Sequence, residues 1–232
     1  MIPRIELPHL GGEFGIERAH VLFHFFEALR CNQCGGLYLD VGAGDLTNTL
    51  TFMQGTGLEA VAIDVSIQHR DSSLHIVRAT AEALPFRDES FSLVTSISLV
   101  EHVSNQDACL RESVRVLKSG GEFLMQFPNR YFPIELHSGI FFYYYLPAAV
   151  RRMIARRLRR FTLTKVDVPT TQSVLRVLRK FSPGARCVTY GFTYPEELLK
   201  NPVHRSFLHV FRRLGLLRMF PMGQLIYLFK PL

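Results

Sequence analysis

The 232-residue chain has no apolar run long enough to cross a bilayer. The longest nearly apolar stretches, Val94–Val100 and Ile140–Val150, fall short of the roughly 18 residues a span requires. The basic start, apolar centre and small-residue cleavage site of an export signal are also missing, because Met1 to Gly15 mixes Pro, Glu, His and Gly. Cysteine is scarce: four in this length make no disulfide framework, and the expected setting is a reducing, cytoplasmic one. There is no internal repeat and no low-complexity tract. Acidic residues are few in one half only. Residues 131–232 carry 17 Lys/Arg against 4 Asp/Glu, whereas residues 1–130 carry 10 against 16, so the halves present different surfaces. What remains, 47% apolar and 20% charged, is an ordinary globular composition, sized for one α/β domain with an appendage.

Ile16 to Arg30 places Ile16, Ala19, Leu22, Phe23, Phe26 and Leu29 at helical spacing, an amphipathic lead-in. Strand and helix then alternate. Leu37–Val41, Leu58–Asp64, Leu74–Ala79 and Phe91–Ser98 read as strands, with a helix over Thr47–Gln54 that Asp45 can cap. Asn105–Leu117 reads as a helix stopped by Ser119-Gly120-Gly121 ahead of a strand over Glu122–Phe127. Such alternation predicts an α/β, doubly wound, mostly parallel Rossmann-like sheet with its ligand at the carboxyl ends of the strands. The rhythm breaks after Pro128. Residues 129–185 are expected to be a helical, Arg-rich insertion over the sheet, followed by helices at Tyr194–Asn201 and His204–Gly215 and a last strand at Gln224–Lys230. The division is therefore a lead-in over 1–34, a core over 35–128, a lid over 129–185 and a closing segment over 186–232.

The first strand delivers Leu39-Asp40-Val41-Gly42-Ala43-Gly44-Asp45, where two glycines allow a tight turn and a close approach of backbone to ligand. Asp64 closes the second strand 20 positions after Gly44, suited to accept from both hydroxyls of an adenosine ribose. A dinucleotide fingerprint needs a third glycine, and Thr47 stands there instead. Asp40, just before the turn, would repel a pyrophosphate but suits a cationic ammonium or sulfonium. These residues favour S-adenosylmethionine over NAD.

The chain also resembles the class I S-adenosylmethionine-dependent methyltransferases, in the subgroup that includes quinone-biosynthesis enzymes. The resemblance rests on Leu39–Gly44, Ala60–Asp64, Ala81-Glu82-Ala83-Leu84-Pro85-Phe86, Ser90-Phe91, Glu101-His102-Val103 and Arg115-Val116-Leu117-Lys118-Ser119-Gly120-Gly121, in order over residues 35–128. It implies that Asp40, Gly42 and Gly44 line the methionine end, Asp64 the ribose, and Thr80-Ala81-Glu82 the adenine edge, with Ser98 near the methionine. The family usually has Asp where Thr80 and Ser92 stand. It implies an enzyme that methylates a small-molecule acceptor.

If that acceptor is a hydroxyl or phenol, a base helps. His102, expected at the start of the helix after the fourth strand, and His137, in the lid, are the candidates. Either is also readable as a cap, core or loop histidine. Tyr131 and Tyr143–Tyr145 could form an aromatic wall near a sulfonium. Val150, Met153, Ile154, Leu158 and Phe161 make a stripe among Arg151, Arg152, Arg156, Arg157, Arg159 and Arg160. That pattern fits a helix on an anionic membrane surface and equally a lid helix with solvated arginines, and less well a phosphate or nucleic-acid contact. Cys31-x-x-Cys34 with His20 and His24 offers four zinc-type ligands, but the expected state is reduced thiols without metal. Two rival functions remain: an NAD-dependent oxidoreductase, and a non-catalytic module that binds S-adenosylmethionine.

Overall fold

The computed structural model describes residues 14–30, 35–66, 74–157, 166–193 and 201–232. Its core is one seven-stranded sheet. The strands are β1 (Leu37–Val41), β2 (Glu59–Asp64), β3 (His75–Arg78), β4 (Phe91–Ile97), β5 (Leu117–Pro128), β6 (Arg186–Phe192) and β7 (Gly223–Phe229). Their order is β3-β2-β1-β4-β5-β7-β6. β1 to β5 pair parallel, and β7 runs antiparallel to both β5 and β6. Every residue of β4 is buried, as expected of a central parallel strand covered on both faces. The chain winds one way from β1 to β3 and the other way from β4 onward, so β1 and β4 part at their carboxyl ends and leave a crevice.

The α-helices among the described residues are α1 (Phe14–Leu29), α2 (Thr47–Thr56), α3 (Gln106–Val116), α4 (Ala148–Arg157), α5 (Thr171–Phe181) and α6 (Pro202–Arg213). On one face, Phe23 and Phe26 of α1 meet Phe52 of α2, and Phe25 meets Tyr190 and Phe192 of β6. α1 is thus buried on a broader face than its periodicity predicts, since Val21 and Phe25 are also in the core. On the other face, Val114 of α3 and Val174 and Leu178 of α5 share a core with β4 and β5. α5 therefore belongs to the helical layer of the sheet although it lies within the stretch read as a lid.

Local chemistry explains the element boundaries. The Asn105 side chain accepts from Ala108 N at 3.0 Å and starts α3. Thr170 and Ser173 form a reciprocal capping box on α5, and Asn201 with Pro202 starts α6. Asp45 accepts from Thr47 N at 3.1 Å as expected, although Leu46, in the left-handed region, is the boundary residue. The expected break at Ser119-Gly120-Gly121 is instead an irregularity inside β5. The register shifts between Phe91 and Leu93, Gly120 takes φ +75°, and the glycines bond Lys230. β6 has no counterpart in the sequence reading.

Candidate functional site

At the crevice, Gly42 and Gly44 adopt φ of +81° and +52°. A Cβ on Gly42 would come within 2.7 Å of Leu99 Cδ1, so the turn also requires glycine for space. Gly42 N and Ala43 N donate to Ile63 O, and Gly44 N donates to Asp64 Oδ2 at 3.1 Å, fastening the turn to the end of β2. The other Asp64 oxygen accepts from Ser66 N and Oγ at 2.8 and 2.9 Å. A carboxylate has about four acceptor positions, so Asp64 keeps capacity for a ligand.

A cavity of about 230 Å³ opens here, and its lining includes Gly42, Asp64, Thr80, Ala81, Glu82 and His102. Val65, 59% exposed, lies on its wall as an uncovered apolar surface. A larger hollow of about 510 Å³ involves Asp88, Arg111, Arg115 and Lys230. It sits at the amino ends of the parallel strands, away from the glycine turn, and the smaller cavity is the candidate site.

The sequence-selected residues divide into two groups. Six line the cavity; Asp40, Gly44, Ser98 and His137 lie outside that lining. Asp40 is wholly buried: its carboxylate accepts from Thr49 Oγ1 at 2.6 Å and Thr95 Oγ1 at 2.7 Å, and Tyr38 OH lies 2.8 Å from Thr95 Oγ1. Burial pushes the Asp40 carboxyl up to about 6, against the pull of those two hydroxyls. Asp40 thus stands behind the crevice and ties β1 to α2 and β4. Ser98 occupies the left-handed region at φ +52°, held by donation from its N to Gln126 O and from its Oγ to Gln126 Oε1. Thr80 and Glu82 share a turn in which Glu82 N donates to Thr80 Oγ1 at 3.3 Å.

His102 sits in the turn before α3, not on the helix as expected, and its ring meets that of His137 edge to face at 5.1 Å between centroids. Burial and then the neighbouring His137 hold His102 below the ordinary imidazole value. The Glu135 carboxylate holds His137 above it. The sequence reading missed three charged neighbours. Arg18 of α1 reaches Ser98 Oγ at 3.4 Å. Glu135 is buried and bonded to His137 Nδ1 at 2.7 Å. Glu101 is fully buried and raised to about 7 by burial. Glu101 lies in the Glu101-His102-Val103 motif and Glu135 in the segment after the fifth strand, but the role of each, like that of Arg18, becomes readable only once the fold shows a charge within apolar surroundings.

α4 is described through Arg157, and Leu158, Arg159, Arg160 and Phe161 of the expected pattern lie outside the described residues. Its inward face is Arg151, Ile154 and Ala155, with Arg151 over the rings of Tyr143 and Tyr144, while Met153 turns outward, 60% exposed, beside Arg152, Arg156 and Arg157. The expected apolar stripe is thus split. Cys31 and Cys34 also lie outside the described residues; Cys109 is buried, with its thiol pushed up to about 12. Among the described residues no helix is long and apolar enough to cross a membrane.

Residues 39–125 match the family model described as a methyltransferase domain. Solved structures overlay nearly the whole chain. A SAM-dependent methyltransferase from Thermotoga maritima matches with a TM-score of 0.59 at 14% identity, over 94% of this chain and 91% of that one. A geranyl diphosphate methyltransferase in complex with SAM matches with a TM-score of 0.63 at 13% identity, over 93% and 85%. The fold is that of a class I S-adenosylmethionine-dependent methyltransferase. By sequence, part of the chain is similar to the ubiquinone/menaquinone biosynthesis C-methyltransferase UbiE of Shewanella oneidensis, 36% identical over 96 residues, 36% of this chain and 38% of the relative. UbiE of Hahella chejuensis is 33% identical over 107 residues, 40% of this chain and 43% of the relative. The chain spans less than half the length of these curated relatives.

Proposed function

We propose that the chain binds S-adenosylmethionine across the carboxyl ends of β1, β2 and β4 and transfers its methyl group to a small-molecule acceptor. The observation that carries this reading is the single cavity joining Gly42, the half-exposed Asp64 carboxylate and the turn at Ala79–Glu82. Asp64 accepts from the ribose hydroxyls, Val65 and Ala81 flank the base, and Thr80 and Glu82 meet its edge. Arg18, next to Ser98, supplies positive charge for the amino-acid carboxylate, and buried Asp40 supplies negative charge behind the glycine turn. The bound cofactor provides a methyl group on a cationic sulfur. The protein's part is to align the acceptor and exclude water, with His102 and His137 beside the cavity as the candidate bases.

The similarity to quinone-biosynthesis C-methyltransferases supports a flat, apolar acceptor, and the exposed Arg152, Arg156, Arg157 and Met153 support approach to an anionic membrane surface. The test is calorimetry with S-adenosylmethionine and with NAD, followed by transfer of labelled methyl to quinol and phenol acceptors. Saturable donor binding with turnover is the expected result. Binding of NAD in place of the methyl donor would overturn the reading, and donor binding without turnover on any acceptor would reduce it to a binding module.

A further inference from the structure

Beside the cofactor cavity, two loops bring together Glu101, His102 and His137. Glu101 and His102 follow β4, and His137 follows β5, so the cluster exists only because these strands are neighbours. One carboxylate oxygen and one nitrogen from each ring lie within 4.8 Å of one another, and Glu101 Oε1 is 3.9 Å from His102 Nε2. We propose that Glu101, His102 and His137 form a binding site for a divalent metal ion of the zinc type.

Three observations support it. The first is Glu101 itself. It is fully buried, and neither of its oxygens has a hydrogen-bond partner among the described residues. Arg18 and His137 place positive charge near it, yet neither supplies a hydrogen bond, and a carboxylate removed from water without bonded partners carries a desolvation cost that a directly coordinated cation offsets. Asp40, equally buried, is by contrast bonded through both oxygens, so Glu101 stands out as the buried carboxylate left without hydrogen bonds among the described residues.

The second is the support behind His137. Its Nδ1 lies 2.7 Å from Glu135 Oε1 and donates to that carboxylate, so in the neutral ring Nε2 is the nitrogen that offers a lone pair. Glu135 is in turn held by donation from Ser138 N, Ser138 Oγ and His137 N. A carboxylate that orients a histidine through its far nitrogen is the usual outer support of a metal ligand.

The third is the donor set. Two imidazoles and one carboxylate suit a borderline ion such as Zn2+; Mg2+ and Ca2+ prefer oxygen donors throughout. Metal–ligand bonds of about 2.1 Å place donors roughly 3.4 Å apart in a tetrahedral site, so small side-chain rotations close the cluster. Three protein ligands leave a fourth position open, and His102 also lines the cofactor cavity, so the ion would border the space where an acceptor oxygen enters. With the ion bound, His102 and His137 would act as its ligands and not as free bases, and the ion would take over activation of an acceptor hydroxyl.

The site stands apart from the assignment of the methyl donor, and its test reads metal rather than turnover. The full chain is stripped with chelator and titrated with Zn2+ against a chromogenic competitor, with Co2+ absorption reporting the ligand field. One ion per chain is expected. His137→Ala, His102→Ala and Glu101→Gln should each weaken it at least 100-fold, and Glu135→Gln about 10- to 100-fold. His75→Ala, at the far edge of the sheet, and the double substitution Cys31→Ser and Cys34→Ser should leave it unchanged. Absence of stoichiometric binding in the parent chain would overturn the site. So would binding that survives His137→Ala in a protein with the parent's circular dichroism, or that disappears only with the cysteines. Donor calorimetry on the same samples reports the cofactor assignment separately.

Discussion

Asp64 and Asp40 are both carboxylates at strand ends, yet their surroundings give them opposite tasks. Asp64 is half exposed with spare acceptor capacity, so Asp64→Ala should weaken S-adenosylmethionine binding by about 1–3 kcal/mol in calorimetry while leaving the fold intact. Asp40 is buried, and its carboxyl is raised from 3.8 to about 6 because burial disfavours the charged form. The folded chain therefore retains a proton that the unfolded chain releases between those values. This residue's contribution makes stability fall as pH rises through that window, by on the order of 3 kcal/mol. Asp40→Asn removes the titration. Its stability relative to the parent should accordingly increase from pH 4 to pH 7, as measured by denaturant unfolding at each pH; a constant difference would contradict the assigned burial cost.

Helix packing sets tighter limits than helix propensity. A Cβ on Gly55 of α2 would lie 2.1 Å from the Phe23 ring of α1, and that ring is wedged edge to face against Phe52. Alanine improves helix propensity elsewhere, but Gly55→Ala should cost about 1–3 kcal/mol through overpacking, visible as a lowered denaturation midpoint. α4 gives the opposite case, an outward face without packing. Arg152→Gln, Arg156→Gln and Arg157→Gln together should leave thermal stability nearly unchanged and lower co-sedimentation with anionic liposomes. Parent protein that stays in the supernatant at low salt would remove the membrane reading. Arg115 of α3 shows how one side chain joins distant motifs: it bonds Glu112, Asp88, Leu84 O and Phe86 O, so the Ala81–Phe86 turn is pinned against α3. The sequence placed these segments in order, but the bonds between them required the fold.

The crevice is shared by β1, β2, β4 and the segments that follow them, and a ligand there binds the folded chain alone. At a free concentration 100 times Kd, linkage gives about 2.7 kcal/mol, a rise in Tm of roughly 5–11 °C for a chain of this size. Scanning calorimetry with S-adenosylhomocysteine checks this, and Asp64→Ala should shift the whole dose dependence to higher ligand concentration. A rise produced equally by NAD would contradict the cavity assignment.

The sequence alone determined the alternating elements from Leu37 to Val116, the tight turn at Gly42 and Gly44, and the acidic end of β2. These are local: periodicity, capping and the backbone freedom of glycine act within a few residues. Tertiary structure alone decided the antiparallel place of β6 and β7, the broad burial of α1, the splitting of the α4 stripe, and the meeting of Glu101 with His137. Those depend on which strands become neighbours and which side chains lose water, and neither follows from spacing along a chain.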